Sequence, residues 1–224
     1  MMTSVDVRAS ASRLADACRT LGFPRALWVV PGWTVHRRFV VSVCVLRAAL
    51  PEPPQGLDLR WTELAATDAD IVRLRSIDPA SCEAEIARRR REGQACTLGW
   101  LGDQLVYVRW DSRGRHTFLP FLGRTLCLLD GDVYSAHACT SRVLGGHGIH
   151  STFHLRALHR ARELGFVRSI SIAAWWNTPA LRAGEKAGRT CAGTVGFTRT
   201  PRGRRYFAAG AVRLDGTASF HVER

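Results

Sequence analysis

The alternation of apolar and polar positions divides the chain into short elements. Leu14, Ala17, Cys18 and Leu21 recur at helical spacing, predicting a helix over 10–21 that Gly22 and Pro24 end. Pro31-Gly32 reads as a turn, and the β-branched run from Phe39 to Leu46 as a strand. Pro51, Pro53 and Pro54 form a stiff connector, which divides the chain into an N-terminal extension, 1–56, and a main domain, 57–224. Leu57, Leu59 and Trp61 then alternate with polar residues as a half-buried strand does. Thr67 followed by Asp70 caps a helix over about 68–76. A second helix runs from Pro79 through Glu83, Glu85 and Ile86 to four arginines, with Gly93 as its stop.

Ala95–Leu101 and Leu105–Trp110 are strands of a hairpin turning at Gly102-Asp103. His116 to Gly123 is a loop or a short strand, and Thr125–Leu129 and Asp132–Thr140 are two further strands. Residues 148–164 present Ile149, Phe153, Ala157, Leu158, Ala161 and Leu164 on one helical face, and Gly165 ends the run. Phe166–Ala173 is a strand, so strand, glycine loop, helix and strand make a β-α-β unit. A short helix headed by Asn177, Thr178 and Pro179 ends at Gly188, and Thr190–Thr200 and Tyr206–Leu214 close the chain as strands.

The glycine loop carries the first chemical signal. Gly145, Gly146 and Gly148 stand between a strand and a helix. The first turn of a helix has N–H groups without intrahelical partners, and the peptide dipoles add partial positive charge there. Glycines let a ligand approach the backbone closely, so the stretch reads as a cradle for phosphate.

Composition changes this picture in three ways. The 224 residues carry a formal charge of +13, nearly all of it arginine, since Lys186 is the single lysine. Base composition of the genome or an acidic partner, such as a phosphorylated cofactor, an acyl carrier protein or nucleic acid, would each account for it. The arginine run at 88–91 suits a helix C-terminus and lacks interleaved aromatics, which argues against nucleic acid. Seven cysteines without C-x-x-C spacing indicate a reducing, cytoplasmic setting and no metal ribbon. No apolar run approaches a membrane span. His150 and His154 lie one turn apart but lack a third ligand at the usual spacing, so no metal is expected.

Gly145-Gly146-His147-Gly148-Ile149 resembles the acyl-CoA pyrophosphate loop of the GNAT acyltransferase superfamily. The segment from Asn177 to Gly188, NTPALRAGEKAG, resembles that family's asparagine-led helix. The resemblance covers about 57–200, with the N-terminal segment outside it. It implies an α/β fold with a mixed, splayed β-sheet flanked by helices, and the pantetheine arm threaded into the split. It implies acetyl-CoA or another acyl-CoA as co-substrate and direct attack by the amine of a small molecule on the thioester. Cys139, Ser141, Arg142, Gly145, Gly146, His147, Gly148, Ile149, His150 and Asn177 would border the cofactor, and Asn177 would also serve the reaction. An acyl carrier protein as donor, or a module that binds without turnover, are the alternatives. Gly145 and His150 replace the loop's usual end residues, Gly184 stands where a tyrosine usually protonates the thiolate, and Arg189 replaces an aromatic. The general acid is therefore unassigned.

His137 is the candidate base, since histidine accepts a proton near neutral pH. Strict alternation puts it on the face of Val133, Ser135 and Cys139. Glu83, Glu85 and Trp175 are candidates for the acceptor pocket. Residues 1–56 are expected to pack on the main domain or to mediate a homodimer.

Overall fold

The computed structural model describes residues 36–54, 59–64, 68–78, 81–141, 148–200, 202–216 and 218–224. The elements expected at 10–21 and at Pro31-Gly32, and the cap at Thr67, lie outside these residues.

The described chain begins with β1 (His36–Val45), β2 (Leu59–Glu63), α1 (Asp68–Ile77) and α2 (Glu83–Arg91). Two hairpins and a further strand follow: β3 (Gln94–Leu101) with β4 (Gln104–Ser112), β5 (His116–Leu119) with β6 (Arg124–Cys127), and β7 (Asp132–Thr140), which pairs with β4. Helix α3 (Ile149–Glu163) leads into β8 (Arg168–Ala174), α4 (Thr178–Lys186) and β9 (Thr190–Thr200). The chain closes with β10 (Gly203–Gly210), β11 (Val212–Asp215) and β12 (Ser219–Val222).

Eight strands form one mixed sheet in the order β10-β9-β1-β8-β7-β4-β3-β2, and four form a second in the order β11-β12-β6-β5. Within the larger sheet β7 and β8 are parallel, while all other neighbours run antiparallel. A parallel pair needs a crossover, and α3 supplies it. One face of the sheet carries α3, through Val133, Leu155, Leu158 and Cys44. The other carries α1 and α2, through Leu74, Ile86, Val108 and Trp110, and the second sheet, through Leu122, Leu126, Phe220 and Val222.

Two expectations change here. Strand β1 does not pack on the domain as an extension: it is hydrogen-bonded between β8 and β9, inside the sheet. Val41 on it is fully buried. The alternating apolar residues of Phe39, Val41 and Val43 are what a strand filling this slot requires. The tail is not one strand over 206–214. It turns at Ala211, so that β10 stays on the large sheet while β11 pairs with β12 in the small one.

The parallel pair opens like a fork. Its register runs from Asp132–Arg168 to Ser135–Ser171 and stops, although β7 continues to Thr140 and β8 to Ala174. At the closed end the Asp132 carboxylate accepts from Arg168 Nε and Nη2, both at 2.8 Å. Arg168 Nη1 donates to Glu223 O at 2.7 Å, which ties the C-terminus to the same point. Both side chains are nearly fully buried. Removing one partner of a buried pair strands the other charge, which costs about 3–5 kcal/mol. Asp132→Ala is therefore expected to lose about 3–5 kcal/mol of unfolding free energy in a urea titration. A loss under about 1 kcal/mol, the range of exposed pairs, would show that the clamp is not structural.

Candidate active site

The fork begins beside a β-bulge. In the β4–β7 ladder Asp111 faces Ser135 and Trp110 faces His137, which leaves Ala136 as the extra residue. A bulge flips the alternation beyond it and re-aims the side chains that follow. Val133 therefore packs toward α3, while His137 and Cys139 point to the face of α1 and α2. Strict alternation, which joined His137 to Val133 and Ser135, fails at this one residue.

His137 Nε2 lies 3.0 Å from Asp78 Oδ2 and 3.2 Å from Cys139 Sγ. Ser81 Oγ donates to the same Asp78 oxygen at 2.6 Å. Asp78 is 4% exposed. Burial would raise its pKa, but the hydrogen bonds from His137 and Ser81, with the charges of His137 and Arg89, lower it to about 2. Burial likewise opposes the charged form of His137, but its hydrogen bonds to Asp78 and Cys139 outweigh that and raise it to about 9. The two are an ion pair at neutral pH. With Nε2–H given to the carboxylate, the neutral ring carries its lone pair on Nδ1.

Two cavities meet at this histidine. A chamber of roughly 730 Å³ lies on the α2 side, lined by Arg37, Phe39, Glu85, Arg88, Arg89, Tyr134, Trp176 and the 117–121 loop among others. A slot of roughly 320 Å³ lies in the fork, lined by Ser135, Ala138, His150, His154, Ser171, Asn177, Gly184 and Arg189. Phe39, Phe121, Ala136, His137 and Ala174 line both.

Several of the expected residues line the slot or stand at the start of α3. Asn177 is at its wall and caps α4, its Oδ1 accepting from Ala180 N at 3.3 Å. His150 lines it too and turns inward, with Nδ1 3.1 Å from Thr140 Oγ1 and the ring edge-on to Tyr107. Gly148 precedes α3 with φ +72°, a left-handed conformation that favours glycine. Among the described residues no side chain caps α3, and no acidic residue occupies its first turn. Arg142, Gly145, Gly146 and His147 lie outside the described residues. Ser141 ends the described strand, its N–H donating to Val106 O.

Other candidates are displaced. Glu83 is exposed beside Arg75, 3.6 Å away, and does not line the chamber. Glu85 does, but its oxygens are held by Arg88 at 2.7 and 2.8 Å and by Arg89 at 2.7 Å, which pull its pKa down to about 2. It offers a cationic acceptor no free carboxylate and is too weak a base to take a proton. Trp175 is half exposed, and its neighbour Trp176 faces the chamber instead. Cys139 bonds His137 and is not among the residues of the slot wall. His154 has both ring nitrogens within 3.1 Å of arginine N–H groups, Arg109 on Nδ1 and Arg189 on Nε2, so neither is offered to a metal with His150.

Sequence reasoning missed Asp78 and Arg189. Asp78 lies 59 positions from its histidine with no local motif; Arg189 was visible only as an odd residue in an aromatic's place.

No protein-family model matches the chain, and no curated relative does. Solved structures do match. A GNAT-family acetyltransferase from Novosphingobium aromaticivorans gives a TM-score of 0.51 at 10% identity, over 72% of this chain and 62% of that one. A GCN5-related N-acetyltransferase from Kribbella flavida gives 0.50 at 13% identity, over 75% and 61%. An acetyltransferase from Bacillus subtilis, solved with CoA, is 20% identical over 58% of this chain and 76% of its own, with a TM-score of 0.45. The fold is that of the GCN5-related N-acetyltransferases.

The ion pair gives a signed pH dependence. The stability His137 lends is full below its ordinary pKa of about 6.5 and is lost as pH rises through about 9. That of Asp78 is full above its ordinary 3.8 and is lost as pH falls through about 2. The melting temperature of His137→Ala should therefore trail the wild type most between pH 4 and 6.5. The gap should close toward pH 9; a gap that stays constant across this range would refute the pairing.

Proposed function

We propose that the protein transfers an acyl group from acyl-CoA to the amine of a small molecule. The observation that carries this reading is the meeting of slot and chamber at His137. Past Ser135 and Ser171 the facing edges of β7 and β8 pair with no strand among the described residues. Backbone groups without partners seek hydrogen bonds, and an extended chain bearing amides, as pantetheine does, can supply them along a strand edge. The uncapped start of α3 suits the pyrophosphate. A donor held there would present its thioester where the cavities join, and an amine in the chamber would reach it from the other side.

The amine must lose a proton to become an amide nitrogen. His137 borders both cavities, and no described residue takes its Nδ1. Asp78 on Nε2 would orient the ring and stabilise the imidazolium once the proton arrives, the part a carboxylate plays behind a catalytic histidine. Because the pair raises the histidine to about 9, the base form grows with pH. The remaining acceleration would come from holding the two reactants together.

The test is release of CoA thiol from acetyl-CoA with a panel of primary amines. We expect kcat/KM to climb with pH and level off near 9. His137→Ala should lower kcat by about 10²–10⁴-fold, the usual contribution of a general base. Asp78→Asn should shift the acidic limb to lower pH, since it removes the groups that raise His137. An unshifted limb in both variants would remove the dyad from the reaction, and absence of amine-dependent release would remove the activity.

A further inference from the structure

Arg189 is a buried cation that hydrogen-bonds no carboxylate among the described residues. It is 5% exposed. Its Nη1 donates to Ser169 O at 2.7 Å, its Nη2 to Ser169 Oγ at 2.8 Å and its Nε to His154 Nε2 at 3.0 Å. None of these partners is an acid. The neighbouring Arg109 is different, since Asp111 holds it through Nε at 2.9 Å and Nη2 at 2.8 Å. Burial, and then the charge of Arg109, depress Arg189 to about 10, and the opposing influence of Cys44, Asp111 and Tyr107 does not make good that loss. Leaving such a charge in the interior costs several kcal/mol. The groups around it are His154 from α3, Arg109, Asp111 and Tyr107 from β4, and Cys44 from β1. His154 is neutral there, pushed well down by burial and by the two arginines.

The position of this charge is informative. Arg189 lines the slot together with His137, Ser171 and Gly184. Gly184 makes room for it: a Cβ there would stand 3.3 Å from Arg189 Cδ. The slot wall at this turn of α4 thus carries a guanidinium stem instead of a hydroxyl-bearing side chain.

We infer that Arg189 stabilises the thiolate that leaves as the acyl group is transferred. The inference rests on the acyl-CoA reading above. In the step, the amine lone pair attacks the thioester carbonyl carbon, a C–N bond forms and the C–S bond breaks. The electron pair of that bond goes to sulfur, and the amine proton goes to His137. Negative charge therefore appears in the slot where a fixed positive charge already waits, and fixed charge in a site shielded from water is worth far more than in solution. The thiolate takes its proton from solvent as CoA departs, so no dedicated acid is needed.

The thiol can be tested without turnover. CoA and desulfo-CoA differ only at sulfur, and calorimetry at pH 8 compares their affinities and the proton released on binding. In the wild type CoA should bind at least about threefold more tightly than desulfo-CoA, which is what a drop of one unit from the ordinary thiol value of about 8.5 gives at pH 8, with net release of about half a proton. In Arg189→Met and Arg189→Gln the ratio should fall to about one with desulfo-CoA affinity unchanged. Arg189→Lys should keep both the ratio and the proton release. Gln retains hydrogen-bonding capacity toward Ser169, so it stands in if the Met variant fails to fold. An unchanged ratio in the neutral variants, or equal loss for both ligands, would overturn the role of Arg189 while leaving acyl-CoA binding intact. Failure of the wild type to bind either ligand would overturn both readings.

Discussion

The bidentate pair between Asp132 and Arg168 stands at the closed end of the one parallel strand pair among the described strands of the large sheet. Everything functional is built outward from it. A parallel pair held at one end and released at the other becomes a fork, and a fork inside a sheet exposes two backbone edges that a sheet normally pairs. The clamp fixes where the two strands coincide. The stop at Ser135 and Ser171 fixes where they part. Strand β4 follows β7 to Thr140 and β1 follows β8 to Ala174, so each prong keeps one partner while its inner edge is unpaired among the described strands. The opening is thus rigid on both sides, which is what a site that must hold two reactants in register needs.

The bulge at Ala136 is the second constraint. One extra residue at the mouth of the fork decides which face His137 serves. Without it, the histidine would point with Val133 toward α3, away from Asp78. With it, the imidazole reaches the end of α1, and the alanines on either side leave space at the join between slot and chamber. A local irregularity of one residue therefore places His137 at both cavities.

This also explains what was legible in the sequence. Period-two and helical patterns identified the β-α-β unit and the β3–β4 hairpin, because those elements are bounded by glycine and pack against sequence neighbours. The glycine loop and the asparagine-led helix were recognisable as local motifs. Register was not. The second sheet joins β12 to β6 in parallel across more than half the domain, and strands of four residues contain no signal for that partner. The place of β1 was hidden for the same reason, since pairing with β8 and β9 is decided by strands far along the chain. Asp78 could not be matched to His137 without the bulge, and the charge of Glu85 could not be discounted until Arg88 and Arg89 were seen folded onto it.

The two halves of the proposed chemistry end up on opposite faces of one sheet. On the α1 side sits a carboxylate behind an imidazole, suited to receive positive charge from the amine. On the α3 side sits a guanidinium that hydrogen-bonds no carboxylate among the described residues, suited to receive negative charge from the sulfur. Both charges arise at the same moment, and in a single unshielded cavity a base and a cation this close would weaken one another. His137 stands on β7, while Arg189, between α4 and β9, is held against β8 through Ser169, so the two would face the same reacting atoms from different sides. The split sheet would then do more than bind an extended cofactor: it would keep the acid-paired histidine and Arg189 apart while the bond between them is exchanged.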